Sequence, residues 1–486
     1  MIFLSAPASL LRLAAVAVAM AASAALAADR PNIIYILTDD LGYGDLGCYG
    51  QKTLTTPNID RLAAEGVKFT RHYAGDTVCA PSRCVLMTGL HTGHCRVRGN
   101  DPWTIPDTDV TVPNLLKKAG YATACFGKYG LGKPLPDDDP NRKGFDTFFG
   151  YVDTSHAHNF YPTYLVRNGK REPLPNITAP GSRKSGHEDT GFATAEGRKQ
   201  WAPQVIGDEL QKYLQARAGE KQPFFVYYAL NMPHANNEAG KDSPQKHGME
   251  VPSYGEFEKK DWPDVEKGFA SAMRFIDDQV GGVVATLKKL GLDENTMVMF
   301  ASDNGPHAEG LHSSDFFDSN GGFNGIKRSM TDGGIRVPFI ARWPSAIKPG
   351  VVSEHVSGFQ DLLPTVAELA GTKVEGETDG ISFVPTLKGN GGPQVEHKYL
   401  FWDFNEQGGK KAVLKWPWKL IHLNTGGRQK KNAAAQQGGV PKSLQVQLFN
   451  LEEDPAEQNN LATLKPELVT ELEGYMKEAW REPVRE

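Results

Sequence analysis

The stretch TVCAPSRCVLMTG, residues 77–89, decides how the fold around it is interpreted. Pro81 suits the first turn of a helix, because proline lacks the N–H group that goes unused there. The pattern therefore places Cys79 just ahead of a helix N-terminus, where free N–H groups and the helix dipole favour an anion. Arg83, one turn into the helix, can point back at the same anion. The stretch predicts a reactive side chain beside an anion site, and the alternative is a helix start that contains an ordinary packed thiol.

Four apolar runs elsewhere in the chain are typical of strands buried on both faces of a parallel sheet. They span residues 32–37, 121–126, 223–230 and 297–301, and a further strand is expected at 339–344. Helical patterns separate them, the clearest being the one-sided apolar spacing from 269 to 290. This alternation predicts an α/β fold with a large mixed, mostly parallel sheet that is flanked by helices.

Two other regions have a different character. Residues 136–202 are rich in glycine, proline and polar side chains, and we expect a long irregular insertion there. Its segment 151–161 is dense in histidine and aromatic residues, which is typical of a recognition surface, although a plain surface loop is the simpler interpretation. After a change of composition at 371–380, short strands between turns and a last helix at about 466–480 predict a small antiparallel sheet plus helix.

Polar side chains follow the predicted strands, at the edge of the sheet where ligands bind in such folds. They are Asp39 and Asp40, Lys128, His234, and Asp303 with Asn304. The carboxylate and amide oxygens form a set that hard divalent cations prefer, and Ca²⁺ tolerates irregular geometry more readily than Mg²⁺. Each of these residues alone also fits a plain turn or surface position. Together with the positive charges of Arg83 and Lys327, they predict a pocket for a sulfate or phosphate ester.

The Cys-x-Pro-Ser-Arg pattern, with its closing Thr88-Gly89, resembles the signature of the type I sulfatases in the alkaline-phosphatase-like superfamily. Matching motifs elsewhere are residues 31–44, Gly127-Lys128, Pro233-His234, residues 302–305, Lys327 with residues 332–338, and residues 448–455. The resemblance implies that a formylglycine-generating enzyme oxidises Cys79 to formylglycine. The hydrate of that aldehyde would supply the attacking hydroxyl.

The resemblance also assigns roles to the pocket residues. It implies that Ca²⁺ is held by Asp39, Asp40, Asp303, Asn304 and the modified Cys79. Arg83 would stabilise the formylglycine hydrate. Sulfate would be held by Lys128, Lys327 and His234, with His234 as proton donor to the leaving alcohol. The predicted domains are residues 1–27 as a signal peptide, 28–372 as the catalytic sulfatase domain and 373–486 as a C-terminal α+β subdomain.

One position departs from the family pattern. Similar sulfatases usually read Gly-Lys-Trp-His-Leu-Gly where this chain has GKYGLG at residues 127–132. The histidine that assists sulfate release is therefore absent, with Gly130 in its place. We hypothesise that another group, either His307 or a water molecule, takes that role.

The expected function is hydrolysis of sulfate esters of carbohydrates. Alternatives are an aryl-sulfate hydrolase, a phosphodiester or phosphonate-ester hydrolase on the same scaffold, and a non-catalytic protein that binds sulfated glycans. The sequence leaves open the sugar, the position of its sulfate, endo or exo action and the oligomeric state.

Composition and the first residues bear on location and partners. The 486 residues carry a net charge of −5, and no basic stripe or tail favours nucleic acid or anionic lipid. The apolar segment 10–27, ending in Ala-Leu-Ala, predicts a cleaved signal and export to the periplasm or medium, with no membrane span afterwards. An uncleaved anchor is the alternative. The odd count of five cysteines leaves four after conversion of Cys79, and their pairing stays open.

Overall fold

The computed structural model describes residues 30–100, 104–182, 189–389, 392–427 and 445–483. The predicted signal peptide lies outside these residues. The helices are α1 (Pro57–Ala64), α2 (Cys79–Thr88), α3 (Val112–Lys118), α4 (Ala202–Ala216), α5 (Asp264–Lys289), α6 (Asp332–Ile335), α7 (Leu362–Leu369), α8 (Val384–Lys388) and α9 (Pro466–Glu478). No helix in the described part of the chain combines the length and apolar character that a bilayer crossing requires.

The strands of the main sheet are β1 (Asn32–Asp39), β2 (Val67–Phe69), β4 (Ala122–Lys128), β5 (Thr147–Tyr151), β6 (Tyr164–Arg167), β7 (Lys170–Pro173), β8 (Phe224–Pro233), β9 (Thr296–Ser302), β10 (Phe339–Arg342) and β11 (Val351–Ser353). Their order across the sheet is β11-β2-β10-β9-β1-β8-β4-β5-β6-β7. The central strands β9, β1, β8, β4 and β5 run parallel, whereas β10 and β6 join them antiparallel. The predicted mixed, mostly parallel sheet is confirmed.

Helices cover both faces of this sheet, as the fully buried sequence of β1 requires. Alternate residues of a strand point to opposite faces. Ile33 and Leu37 therefore pack in one core with α2, α3, α7 and α8. Ile34 and Ile36 pack in a second core with α1, α4 and α5. Because helices cover both faces, a ligand can reach the sheet at the carboxyl ends of its parallel strands.

The C-terminal part forms a separate antiparallel sheet, as expected. Its strands are β13 (Leu400–Phe404), β14 (Lys410–Lys415), β15 (Trp418–Leu423) and β16 (Val446–Asn450), paired in that order. Helix α9 packs on one face of this sheet through Leu472 and Met476. A two-strand parallel pair, β3 (His72–Tyr73) and β12 (Ser357–Gly358), completes the strands. The domain boundary at 372/373 stays a prediction.

The region 136–202 differs from the irregular insertion that we expected. It contributes β5, β6 and β7, which extend the main sheet at one edge. Its histidine-rich segment is largely buried, since His156, Asn159 and Phe160 are at most 2% exposed. These residues pack inside the protein, where His156 contacts Asp189 and Tyr151, and do not form an open recognition surface.

Candidate active site

The carboxyl ends of the parallel strands bring the predicted site residues together. In register, Asp39 at the end of β1 pairs with Pro233 of β8, and Thr38 pairs with Ser302 of β9. Lys128 is the last residue of β4, which lies beside β8. The residues that follow these strands therefore meet at one edge of the sheet. Lys327, from the loop before α6, joins them through its own backbone N–H, which donates to the Pro306 carbonyl at 2.9 Å.

Helix α2 begins at Cys79 itself, slightly earlier than the sequence pattern predicted, and directs that side chain into the site. The Cys79 thiol donates to Asp39 Oδ1 at 3.3 Å and is fully buried. Burial, reinforced by the Asp39 carboxylate, raises the pKa of the Cys79 thiol well above its ordinary value. An unmodified thiol here is consequently a poor nucleophile, because nucleophilicity belongs to the thiolate.

Ser82 and Arg83 fasten α2 to the end of β9. The Ser82 hydroxyl donates to the Asp303 carbonyl at 2.5 Å, and Arg83 Nε and Nη2 donate to Asp303 Oδ2 at 3.0 and 2.8 Å. Arg83 Nη1 also donates to the Lys128 carbonyl at 2.6 Å. Because all these groups are buried, the positions of the helix and the strand ends are fixed relative to one another.

Lys128 sits beneath the site. Its Nζ donates to Asp39 Oδ2 at 2.7 Å, and its side chain is fully buried. Gly127 makes this position possible, because a Cβ there would lie 2.0 Å from the Ala229 carbonyl oxygen of β8. Burial alone raises the pKa of Asp39, but Lys128, His234 and Arg83 outweigh it and hold that pKa well below its usual range.

Asp40 connects the remaining residues. Its Oδ2 accepts from Lys327 Nζ at 2.6 Å, and its Oδ1 accepts from Asn304 Nδ2 at 2.7 Å. Its backbone has a positive φ of 66°, which is uncommon for a residue with a side chain, and its N–H donates to Asp303 Oδ1 at 3.0 Å. Strain of this kind persists where the surrounding structure fixes a functional position.

His234 is buried beside the same carboxylates. Its Nδ1 donates to the Ala235 carbonyl at 2.6 Å, so Nε2 is the nitrogen that faces the site, 3.4 Å from Asp40 Oδ2. Burial and then the charge of Lys327 lower the pKa of His234 well below 6.5. A negatively charged ester next to Nε2 would raise the pKa of His234, since an anion favours the imidazolium.

The donor set fits a hard divalent cation. Asn304 Oδ1 is buried and accepts no hydrogen bond from any described residue. Ligand atoms of Asp39, Asp40, Cys79 and His234 lie within 4.8 Å of one another. Burial and the nearby Asp39 raise the pKa of Asp303, a cost that a cation among these carboxylates removes. The carboxylates with the amide oxygen of Asn304 are the residues that could hold such an ion.

Comparison with known proteins decides the family. Residues 31–372 match the family model described as Sulfatase. The chain belongs to the sulfatase family. A second family model, N-sulphoglucosamine sulphohydrolase, C-terminal, matches residues 321–431. The chain is therefore a sulfuric ester hydrolase of the alkaline-phosphatase-like superfamily.

Individual relatives agree with this assignment. Human arylsulfatase A is 31% identical over 479 residues, which cover 91% of this chain and 85% of the human protein. Rat N-acetylgalactosamine-6-sulfatase is 33% identical over 380 residues, or 75% of this chain and 67% of the rat protein. A structure from work on the metabolism of multiple glycosaminoglycans by Bacteroides thetaiotaomicron is 25% identical, with a TM-score of 0.72 over 93% of this chain and 99% of that one.

Two residues of this sulfatase site were missed by the sequence patterns. Glu309 Oε2 lies 3.2 Å from Lys327 Nζ and 3.5 Å from His234 Nε2. The His158 ring stacks on the His234 ring with 4.5 Å between centroids. Glu309 stands only six residues after Asp303, so its spacing from the predicted metal ligands is the one signal that the sequence offers. His158 belongs to the histidine-rich segment, but no sequence pattern pairs it with His234.

His307 does not occupy a position from which it could replace the missing family histidine. Its Nε2 donates to the Pro233 carbonyl at 2.9 Å, and its Nδ1 accepts the Glu309 N–H at 3.0 Å. Both ring nitrogens are thus engaged with backbone, and burial lowers the pKa of His307 to about 4. A neutral, fully bonded imidazole holds the loop in place and has no proton to exchange with a substrate.

Proposed function

We propose that this sulfatase hydrolyses sulfate esters of carbohydrates with a formylglycine at residue 79 and a calcium ion at the adjoining oxygen ligands. The observation that carries the proposal is the position of Cys79. Its Sγ, at the first residue of α2, lies 3.3 Å from Asp39 within a pocket that also contains Arg83, Lys128, Lys327 and His234. Sulfate chemistry needs this combination of a nucleophile position, buried cations and a proton donor.

The buried cations define where the sulfate group binds. Lys128 and Lys327 contact two different carboxylates, those of Asp39 and Asp40 respectively. Each ammonium has donors left for a sulfate oxygen, because an ammonium carries three N–H bonds. In a buried site such fixed charges stabilise negative charge on the sulfuryl oxygens far better than water does.

Residue 79 and the metal ligands supply the remaining chemistry. The aldehyde hydrate at residue 79 supplies a hydroxyl for attack on sulfur and a second hydroxyl for the release of sulfate. Asp39, Asp40, Asp303 and Asn304 would hold the calcium ion, which would supply positive charge to stabilise the reacting sulfuryl group. Arg83 reaches the Asp303 and Asp39 carboxylates, at 2.8 and 3.8 Å, and holds α2 so that residue 79 stays in line.

His234 acts on the leaving alcohol. The hydrogen bond from Nδ1 to the Ala235 carbonyl fixes the ring, so Nε2 is presented to the leaving oxygen. Once an anionic ester favours the imidazolium, Nε2 donates its proton to the departing oxygen. The alkoxide of a sugar hydroxyl is a poor leaving group. This proton transfer therefore matters most for a carbohydrate substrate.

The carbohydrate assignment is supported by the named substrates and subjects of similar proteins. Rat N-acetylgalactosamine-6-sulfatase acts on a sulfated amino sugar by its name, and the Bacteroides structure comes from work on glycosaminoglycans. An aryl-sulfate substrate is the second candidate, because arylsulfatase A matches more of the chain. Export is also part of the proposal, from the apolar start of the sequence, as is maturation by a formylglycine-generating enzyme.

The proposal is tested with protein produced in a host that makes formylglycine. Release of nitrophenol from 4-nitrophenyl sulfate and 4-nitrophenyl phosphate is compared, and sulfate release is measured on a panel of defined sulfated saccharides. We expect sulfate to be preferred over phosphate, saccharides to be hydrolysed, and the Cys79→Ala variant to be inactive on both. A preference for phosphate contradicts the sulfatase activity, and turnover of aryl sulfates alone contradicts the carbohydrate assignment.

A further inference from the structure

Glu309 is a carboxylate at the mouth of an anion-binding pocket. Its Oε1 accepts from Arg328 Nη1 at 2.6 Å, and its Oε2 accepts from Lys327 Nζ at 3.2 Å. Its backbone N–H is fixed by His307 Nδ1. The side chain is 17% exposed, compared with 2% for Lys327 and 3% for His234. Glu309 and Arg328, whose side chain is 32% exposed, are therefore the members of this group that an entering substrate reaches first.

The position of Glu309 places it beside the leaving group. Lys327 binds the sulfate and His234 Nε2 faces the leaving oxygen in the proposed function, on which this inference rests. Glu309 Oε2 lies within 3.5 Å of both nitrogens. The atoms attached to the leaving oxygen must then pass next to this carboxylate. The substituent on the neighbouring carbon of the substrate is the group that it contacts.

Positive side chains surround the Glu309 carboxylate and stabilise its negative charge. Burial raises its pKa, but Lys327, His234 and Arg328 outweigh burial and hold that pKa well below the usual range. An ionised carboxylate only accepts hydrogen bonds. A hydroxyl group fits beside it, whereas a second anionic group is repelled.

We propose that Glu309 sets the substrate specificity of this sulfatase by accepting a hydrogen bond from a hydroxyl adjacent to the scissile sulfate and by excluding an adjacent sulfate or carboxylate. Its contacts assign it to substrate selection at the leaving-group side. The substrate class is then a sulfate ester with a free neighbouring hydroxyl, which is common in monosulfated sugars.

Three aryl sulfates that differ at the position next to the sulfate test this role. They are 4-nitrophenyl sulfate, with hydrogen there, 4-nitrocatechol sulfate, with a hydroxyl, and 2-carboxy-4-nitrophenyl sulfate, with a carboxylate. For wild type and Glu309→Gln, kcat/KM is measured on each probe, and ratios between probes are compared. We expect the preference for the hydroxyl probe to fall about tenfold in Glu309→Gln. Discrimination against the carboxylate probe should fall roughly a hundredfold.

Two further variants separate contact from general electrostatics. Glu238→Gln removes a carboxylate that is near His234 only through His158, because Glu238 lies 3.6 Å from His158, which stacks on His234. We expect its probe ratios to match wild type. Glu309→Asp keeps the charge on a shorter side chain, so it should keep the carboxylate rejection and lose the hydroxyl preference.

Unchanged ratios in Glu309→Gln and Glu309→Asp overturn the inference, as do equal changes in Glu309→Gln and Glu238→Gln. Both results leave sulfate hydrolysis intact. A wild-type protein that releases sulfate from neither these probes nor the saccharide panel instead contradicts the proposed function, and this inference falls with it.

Discussion

Gly130 shows how a single residue shapes the site. Its φ is +72°, a conformation that residues with side chains rarely adopt. A Cβ at this position would lie 3.1 Å from Arg83 Cδ and 3.4 Å from Lys128 Cε. Gly130 is also the position where similar sulfatases usually carry histidine. Without a side chain there, Arg83 and Lys128 pack directly against the backbone.

We predict that Gly130→Ala lowers both stability and turnover. The left-handed conformation costs about 1 kcal/mol for alanine, and the added methyl also presses on Arg83. The matched control is Gly120→Ala, because Gly120 has a φ of +88° with open space around its missing Cβ. Denaturant unfolding should show a loss in both variants that is larger in Gly130→Ala, whereas sulfate release should fall several-fold only in Gly130→Ala. Equal activities would contradict the contact with Arg83.

At this scale the sequence predicted which residues lie together at the strand ends, and their roles stay predictions. Asp39, Asp40, Asp303 and Asn304 were identified because they follow apolar runs, and the ends of parallel strands must lie at one edge. Glu309 was missed because its role depends on a loop whose path is set by long-range hydrogen bonds. No local pattern reports such contacts.

One buried lysine of the C-terminal sheet joins this sheet to the loop region of the site, alongside other contacts such as the hydrogen bond from Trp402 Nε1 to the Ala74 carbonyl. Lys419 of β15 is fully buried, and its Nζ lies 2.6 Å from both Asp332 Oδ1 and Glu457 Oε1. Asp332 begins α6, five residues after Lys327. The C-terminal sheet therefore holds the segment that carries a proposed sulfate ligand.

We predict that Lys419→Met destabilises the protein strongly. Two buried carboxylates lose their shared cation, and removing one partner from a buried ion pair costs about 3–5 kcal/mol. Lys415→Met, on the neighbouring strand, removes a lysine whose partner Glu471 is 43% exposed, so it should change stability by less than about 1 kcal/mol. Denaturant unfolding measures both. Similar small losses would show that the buried network contributes little.

At the level of elements, regular periodicity was predictive and irregular composition was not. The strand expected at 32–37 and the helix expected at 269–290 correspond to β1 and α5, whose apolar spacing is clear. Strands β6 and β7 are short, and β7 is largely exposed with the sequence KREP. Such an edge strand forms because it pairs with its neighbour in the sheet. Local composition does not reveal that pairing.

Buried histidines determine how the whole molecule responds to acid. His72 is 2% exposed and stacks on Phe339 with 4.2 Å between centroids. Burial lowers the pKa of His72 from 6.5 to about 3. The unfolded chain binds a proton at its ordinary pKa while the folded state does not. Between these two values the unfolded state holds more protons, so stability falls as the pH falls.

We predict that His72→Phe makes unfolding less sensitive to acid. One such histidine contributes a slope of about 1.4 kcal/mol per pH unit between pH 6 and 4. The variant should lose the contribution of His72 to this slope. The contributions of other buried histidines, such as His91 and His247, should remain. Unfolding free energies measured by denaturant at several pH values give the slope. An unchanged slope would contradict the buried, neutral state of His72.

Removal of divalent metal should affect stability and activity together. A ligand bound only by the folded state stabilises it by about 2.7 kcal/mol at a hundredfold excess over Kd. We predict that chelation lowers the thermal midpoint and abolishes turnover, and that Ca²⁺ restores both. Cys79→Ala should keep a reduced Ca²⁺-dependent shift without activity, because four of the five proposed ligands remain, and Asp40→Asn should lose the shift. A midpoint that does not respond to chelator would contradict the metal site.

The most direct test of the central claim links the chemical state of residue 79 to turnover. Protein is produced with graded amounts of formylglycine-generating enzyme, and the aldehyde fraction at residue 79 is measured by peptide mass spectrometry alongside the rate of sulfate release. We predict that the rate rises in proportion to the aldehyde fraction and vanishes for the pure thiol form. A rate that is independent of the aldehyde fraction would contradict the account.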